Sequence, residues 1–202
     1  MIVIVDYGMG NLRSVQKAFE RIRVPVKISK NINDILKAEK LVLPGVGHFA
    51  RGISNLRERK LFEVINEVVL KEKKPILGIC LGMQLMTDFS EEGNCHGFGW
   101  IKSRTLKFAF KSNGLKIPHM GWNNLLINKS RSLFKGINSE NFFYFVHSYY
   151  VVCEDENNVS AETNYGNKFV SALQKENIYG CQFHPEKSHD SGLLLLKNFA
   201  NI

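Results

Sequence analysis

No stretch of about 18 consecutive apolar residues occurs in the 202-residue sequence, which argues against a transmembrane helix. The opening MIVIVDYG has no basic segment ahead of its apolar run and no small-residue cleavage site, so it reads as a first strand rather than a signal peptide. Cysteine is scarce. Cys80, Cys95, Cys153 and Cys181 are widely spaced and form no CxxC pair, which, with no export signal, predicts reduced thiols in a cytoplasmic protein. Cys95-His96 lacks further ligands at metal spacing, so no metal site is expected. Acidic residues number 19 against 27 basic ones, and the net charge of +8 raises the question of nucleic acid. The basic residues are scattered, however. Their densest cluster, Lys71-Glu72-Lys73-Lys74, lies just ahead of a strand, and neither zinc-finger spacing nor an aromatic-studded RNA-binding signature accompanies it. It reads as a solvated helix end, and neither nucleic acid nor a membrane is expected as a partner.

There is also no internal repeat and no low-complexity tract, and the length suits one domain over residues 1–202. Hydrophobic content of 44% and charged content of 23% are ordinary for a globular chain. Short apolar runs at Ile2–Val5, Val24–Ile28, Leu41–Leu43 and Ile76–Leu77 alternate with helical spacing at 12–22, 49–56 and 61–70. Alternation of this kind implies right-handed crossovers and a parallel sheet flanked by helices on both faces. After Ser90 the runs become short and β-rich, around Leu106–Phe110, Asn123–Ile127, Phe142–Val146, Tyr149–Cys153, Phe169–Gln174 and Tyr179–Phe183. A last helix is expected from Ser188 to Ile202. The expected class is therefore α/β, a mostly parallel central sheet between helices with additional antiparallel strands. The start Asp6-Tyr7-Gly8-Met9-Gly10-Asn11 lacks the third glycine of a dinucleotide fingerprint, which would fall at Arg13.

The chemistry concentrates at Pro75–Gly82, PILGICLG. Cys80 stands between Gly78 and Gly82 at the end of a strand, and Met83 to Met86 read as the start of a helix. A strand turning sharply into a helix needs small residues beside the turn, and the apex residue then stands over the sheet edge next to helix N–H groups. A thiol so placed tends to ionise. A nucleophile on an elbow and a buried structural thiol in a glycine-flanked turn both fit these eight residues. Ligand sites in such sheets lie beyond the carboxyl ends of the strands. Pro44-Gly45-Val46-Gly47-His48-Phe49 falls at another such end.

A cysteine nucleophile needs a base, and the base an orienting group. Of the six histidines, His184 stands out in Gln182-Phe183-His184-Pro185-Glu186. In an extended segment residues i and i+2 project to one side, so Glu186 reaches the His184 ring while Pro185 fixes the backbone between them. A carboxylate on one ring nitrogen leaves the other facing the thiol in a defined tautomer.

The segments Gly78–Gln84 and Phe183–Ser188 together resemble the class I (triad) glutamine amidotransferases, a family with a flavodoxin-like three-layer fold. With Asp6–Asn11, Pro44–Phe49, Pro118-His119-Met120-Gly121-Trp122-Asn123 and Tyr144–Tyr149, the resemblance narrows to the glutaminase subunits of imidazole glycerol phosphate synthase and runs from end to end. It implies hydrolysis of L-glutamine through a Cys80 γ-glutamyl thioester, with His184 as acid and base and Glu186 polarising it. It implies oxyanion donors at the Leu81 and Val46 N–H groups, the latter on a peptide that flanking glycines allow to flip. Gly47, Gln84, Glu92, Ser148 and Tyr149 would hold the substrate, and no cofactor is implied. The ammonia would pass to a (β/α)8-barrel synthase bound as a heterodimer partner through Asn11, Trp122, Tyr144 and Lys187; ordinary packing is the other reading of Trp122. Ser148 stands where the family leads us to expect Thr. Cys181 reads as a buried filler. Two rival functions share the motifs: a glutaminase feeding a sugar-nucleotide amination or amidination enzyme of surface polysaccharide synthesis, and a free-standing cysteine hydrolase.

Overall fold

In the computed structural model, residues 1–110, 114–128 and 132–202 are described. The first half alternates strand and helix. Strand β1 (Ile2–Val5) is buried at all four positions, as a strand covered on both faces must be. Helix α1 (Leu12–Arg21) turns Val15, Ala18 and Phe19 inward. Strand β2 (Val26–Ser29) and helix α2 (Ile32–Lys37) follow, the helix capped by the Asn31 side chain accepting from the Asn33 N–H. Strand β3 (Lys40–Gly45) leads to α3 (Phe49–Glu58), then to α4 (Leu61–Asn66), which runs into a π-helical turn at Glu67–Lys71. Strand β4 (Ile76–Cys80) turns directly into the single-turn helix α5 (Leu81–Gln84).

The second half is largely strand: β5 (Thr87–Ser90), β6 (Cys95–His96), β7 (Ile101–Lys107), β8 (His119–Asn124), β9 (Leu126–Ile127), β10 (Phe142–His147) and β11 (Tyr149–Cys153). After them come β12 (Val159–Tyr165), β13 (Asn167–Lys175), β14 (Ile178–Cys181), a 3-10 turn at Pro185–Lys187 and helix α6 (His189–Ala200). Strands β2-β1-β3-β4-β14 run parallel and form the centre. Beyond β14 the sheet continues antiparallel through β13, β11 and β7, with β5 rejoining β7 in parallel. Strands β8 and β10 form a separate antiparallel pair.

Alternation along the central strands divides the apolar residues between two cores. Val3, Val5, Leu41 and Leu43 pack with Phe49, Leu56, Leu61 and Ile65 of α3 and α4. Ile2, Ile4, Val42, Leu77 and Ile79 pack with Phe19, Leu195, Leu196 and Phe199 of α1 and α6. This is the α/β arrangement expected, helices on both faces of a sheet whose central strands are parallel. Among the described residues no helix is long and apolar enough to cross a membrane.

Three local expectations change. The helix after Cys80 lasts four residues before β5 begins, because Thr87, Phe89 and Ser90 pair with β7 and tertiary pairing overrides the local helical pattern. Strand β12 was not expected: its buried positions include Ser160 and Thr163, so the polar–apolar alternation that marks a strand is blurred. Strand β8 starts at His119 rather than Asn123, drawn into register by β10, where Tyr144 faces Trp122.

The elbow depends on close contact. A Cβ on Gly82 would overlap the Leu43 carbonyl oxygen, and one on Gly78 would lie 2.7 Å from the Gly82 carbonyl. Both obstacles are backbone, which cannot swing aside. Gly82→Ala is therefore expected to cost about 3 kcal/mol or more, at the upper end of the usual range for overpacking. Urea unfolding of the variant beside the parent checks this.

Candidate active site

Strands β3 and β4 end level with one another, Gly45 paired with Cys80. At Cys80 the backbone takes φ +53° and ψ −108°, a region that a residue with a Cβ rarely occupies. Strain of this kind costs about 1–3 kcal/mol and persists only where the surroundings over-determine it. Here the buried strand before Cys80 and the Gly82–Leu43 contact after it leave no other path. The thiol is held at the rim of the sheet, and Leu81 opens α5 with an N–H that has no acceptor within the helix.

His184 lies just past β14, the strand that neighbours β4, so the sheet order itself carries the ring to the cysteine. Its Nδ1 is 2.8 Å from Glu186 Oε1, and both side chains are almost wholly buried. The backbone between them is not extended as the sequence suggested: His184 caps the 3-10 turn Pro185–Lys187, and the turn brings the carboxylate round to the ring. The turn is pinned to β10. The His184 N–H donates to the Tyr144 carbonyl (2.8 Å), and Ser188 Oγ donates to the His184 carbonyl (2.6 Å) while accepting from the Tyr144 N–H (3.0 Å). Burial pulls the imidazole down. The charge and contact of the Cys80 sulfur, and then Glu186, outweigh it and hold the pKa up at about 10. His184 Nε2 is buried and makes no conventional hydrogen bond. A protonated imidazole beside a thiol at the mouth of a pocket is an arrangement in which the ring can deliver a proton to a leaving group.

Cys80 opens into a pocket of about 350 Å³ whose lining also includes Val46, Gly47, Leu81, Gln84, Glu92, Ser148 and Tyr149. The sequence singled out all of these, from four separate segments. Gly47 takes φ +113°, which only glycine adopts without strain, and Val46 beside it is exposed. Two of the side chains are already partly committed. Glu92 Oε2 accepts from the Phe49 N–H at 2.7 Å, at the start of α3, leaving its other oxygen to a ligand. Gln84 Nε2 donates to the Tyr149 carbonyl (3.1 Å) and to Gln182 Oε1 (2.9 Å), so this side chain offers the pocket only its oxygen.

Pro118, Val146 and His147 line the same pocket and were not singled out. His147 Nδ1 lies 2.7 Å from the Tyr149 carbonyl, an acceptor, so this nitrogen carries the proton. His147 Nε2 then accepts from His119 Nδ1 at 3.0 Å. Aromatic rings enclose the pair: Tyr165 stacks on His119 at 3.9 Å and Phe169 sits 5.1 Å from His147. Sequence alone gives no way to pair residues 28 positions apart on partner strands. Gln182 also went unnoticed, although it precedes His184 by two positions, the same offset that drew attention to Glu186.

Trp122 and Tyr144 face one another across β8 and β10, with ring centroids 5.9 Å apart and Lys187 Nζ 5.5 Å above the Tyr144 ring. Met120 and Phe142 extend this exposed face. Asn11 caps α1, which abuts the Pro185–Lys187 turn. Cys181 is fully buried, its thiol pushed up by burial first and then by Glu186 and Cys80.

The model of the family "Glutamine amidotransferase class-I" matches residues 3–201. A protein of Campylobacter jejuni subsp. jejuni (serotype O:23/36, strain 81-176), named imidazole glycerol phosphate synthase subunit HisH 1, is 54% identical over the full length of both chains. One of Methanococcus maripaludis, named imidazole glycerol phosphate synthase subunit HisH 2, is 50% identical over 98% of each. Among solved structures, that described as PurLQS from Thermotoga maritima superposes with a TM-score of 0.74 over 99% of this chain and 97% of that one, at 20% identity, a likeness of fold.

The buried histidines set opposing pH dependences. Burial depresses His119 to about 4. Burial, offset in part by the Tyr149 carbonyl and reinforced by the neighbouring His119 and His184, depresses His147 to about 3. An unfolded histidine titrates near 6.5, so below that pH the unfolded chain takes up protons these rings refuse. Their contribution is complete above 6.5 and is lost as the pH falls through about 4 to 3. His184, raised to about 10, has the other sign: its contribution is complete below 6.5 and is lost as the pH rises through 10. Unfolding free energy measured in urea is expected to fall by about 1–3 kcal/mol from pH 7 to pH 5. His147→Gln should flatten that acid limb.

Proposed function

The chain belongs to the class I glutamine amidotransferases, among subunits of the imidazole glycerol phosphate synthase HisH type, and from that premise we propose how its residues do the work. It is a glutaminase subunit, one domain over residues 1–202, that supplies ammonia in histidine biosynthesis. The observation that carries the mechanism is the Cys80–His184–Glu186 constellation: a strained cysteine at a pocket, facing a buried imidazole whose far nitrogen is fixed by a carboxylate at 2.8 Å.

Cys80 Sγ attacks the side-chain amide carbon of glutamine, forming the C–S bond as the carbonyl π electrons move to oxygen. His184 gives its proton to the amide nitrogen as the C–N bond breaks, releasing ammonia and leaving the γ-glutamyl thioester. Water, deprotonated by His184, then attacks the thioester carbon; sulfur departs and glutamate is freed. Glu186 keeps Nδ1 protonated throughout, so that exchange occurs only at Nε2. The Leu81 and Val46 N–H groups receive the oxyanion, each such donor contributing roughly 2.7–4 kcal/mol in comparable enzymes. Gln84, Glu92, Gly47, Ser148 and Tyr149 hold the substrate. The free oxygens of Gln84 and Glu92 suit its ammonium group, and for Ser148 a backbone contact makes the exchange of Thr for Ser mild.

Ammonia released at this pocket requires an acceptor that the chain does not carry. We place a (β/α)8-barrel synthase subunit in a heterodimer, in the cytoplasm, against the face of Trp122, Tyr144, Lys187 and Asn11. Tyr144 shares β10 hydrogen bonds with the His184 turn, so that contact has a direct mechanical route to the base. The barrel forms imidazole glycerol phosphate with the ammonia.

The test is a glutaminase assay of the purified chain with and without the synthase and its ligand. Strong stimulation by the synthase is expected, and full turnover by the isolated chain would count against gating. Cys80→Ala should lower turnover roughly 10⁴-fold or more in the complex; retained turnover would sink the mechanism. Trp122→Ala should weaken the complex by about 2 kcal/mol, or roughly 30-fold in Kd, by titration calorimetry.

A further inference from the structure

A buried chain of hydrogen bonds runs from the second-half strands to the nucleophile, and its last link has no part in the triad. Gln182 is fully buried, and its Nε2 lies 3.6 Å from Cys80 Sγ. We propose that Gln182 is a further catalytic residue, an N–H donor to the Cys80 thiolate whose orientation is fixed by a directional relay through Gln84 and the Tyr149 carbonyl. The proposal rests on Cys80 being the reacting thiol.

The direction follows from one atom. The Tyr149 carbonyl oxygen only accepts, so the Gln84 group 3.1 Å from it must be the amide NH₂. The second N–H of that NH₂ then points at Gln182, which must answer with its own oxygen, at 2.9 Å. With its oxygen so occupied, Gln182 turns its NH₂ toward sulfur. The same carbonyl holds His147 Nδ1 at 2.7 Å, and His147 in turn accepts from His119 at 3.0 Å, which fixes the position of the Tyr149 carbonyl from its other side. An amide that flips freely would present oxygen to the sulfur half the time and repel a thiolate. Here a flip of Gln182 would set its NH₂ against the NH₂ of Gln84, donor against donor.

The chemical consequence is specific. A donor aimed at sulfur favours the anion over the neutral thiol, because a thiol is a weak acceptor and a thiolate a strong one. Cys181, at the end of the neighbouring strand, is fully buried and is held neutral by burial. Gln182 thus helps to separate a reactive from an inert thiol on neighbouring strands.

The experiment reads the thiol directly. Full-length protein is alkylated with iodoacetamide from pH 5 to 9, and modification at Cys80 is followed by mass spectrometry of its peptide. Gln182→Met, close in size and without a donor, should slow alkylation of Cys80 at pH 7 at least tenfold and move the profile to higher pH. Gln182→Glu, which sets a carboxylate oxygen against sulfur, should slow it further, while half-exposed Cys95 reacts as in the parent. Parent-like Cys80 profiles in both variants would overturn the proposal. Should neither variant fold, ¹⁵N side-chain amide spectra of the unsubstituted protein decide it. One glutamine NH₂ is expected to titrate with Cys80 and to stop doing so in Cys80→Ala; no amide following Cys80 would overturn it. Retained glutaminase turnover in Cys80→Ala refutes the proposed function instead, so the two failures are distinguishable.

Discussion

The turn at Cys80 is strained, and the packing that enforces it organises much of the molecule. Strand β4 is buried along its length between β3 and β14, so its end cannot shift sideways. Helix α5 must begin at once, and it does so only because Gly82 lets the helix backbone touch the Leu43 carbonyl. Between these two fixed bodies the residue at position 80 is left with a left-handed backbone and a side chain directed into the pocket. The two apolar cores on either face of the sheet supply the stability that this local conformation costs. The Cys80 backbone is thus positioned by hydrophobic packing on both sides of the sheet rather than by polar contacts around it.

Polar groups take over beneath the pocket, where the side chains are buried. His184, Glu186, His147, His119, Gln84 and Gln182 are all removed from water, and in such surroundings an unpaired polar atom is expensive while a paired one is firmly held. The tautomers of His119 and His147 and the amide directions of Gln84 and Gln182 all follow from the single carbonyl of Tyr149. One consequence is chemical: burial drives two imidazoles toward neutrality, whereas the sulfur and carboxylate beside the third keep it charged. The same side-chain type is therefore driven toward different protonation states within one site.

Strand β10 joins this interior to the surface. Its Tyr144 backbone holds the His184 turn from both sides through Ser188, and its Tyr144 ring lies under Lys187 beside Trp122. Three hydrogen bonds make up this link, one directly between backbone groups and two through the Ser188 hydroxyl.

Much of this was legible in the sequence, and the limits have physical causes. Gly-x-Cys-x-Gly after an apolar run specifies a strand–helix elbow by itself, because no other residue tolerates those contacts. His184 and Glu186 sit two positions apart, so their pairing is a local fact, although the backbone achieves it by a 3-10 turn rather than by extension. The alternating apolar runs of the first half likewise determined a parallel sheet with two covered faces. Strand β12 was hidden because hydroxyl residues occupy its buried positions, and the helix after Cys80 was overestimated because β5 gains more from pairing than from propagating a helix. What only the tertiary structure decided is the set of contacts between distant segments: His119 with His147, Glu92 with the start of α3, and Gln84 with Gln182 and so with the sulfur. These depend on strand order and register, which a periodicity cannot encode. The sequence determined the elbow and the cysteine at its apex; the fold decided which atoms surround it.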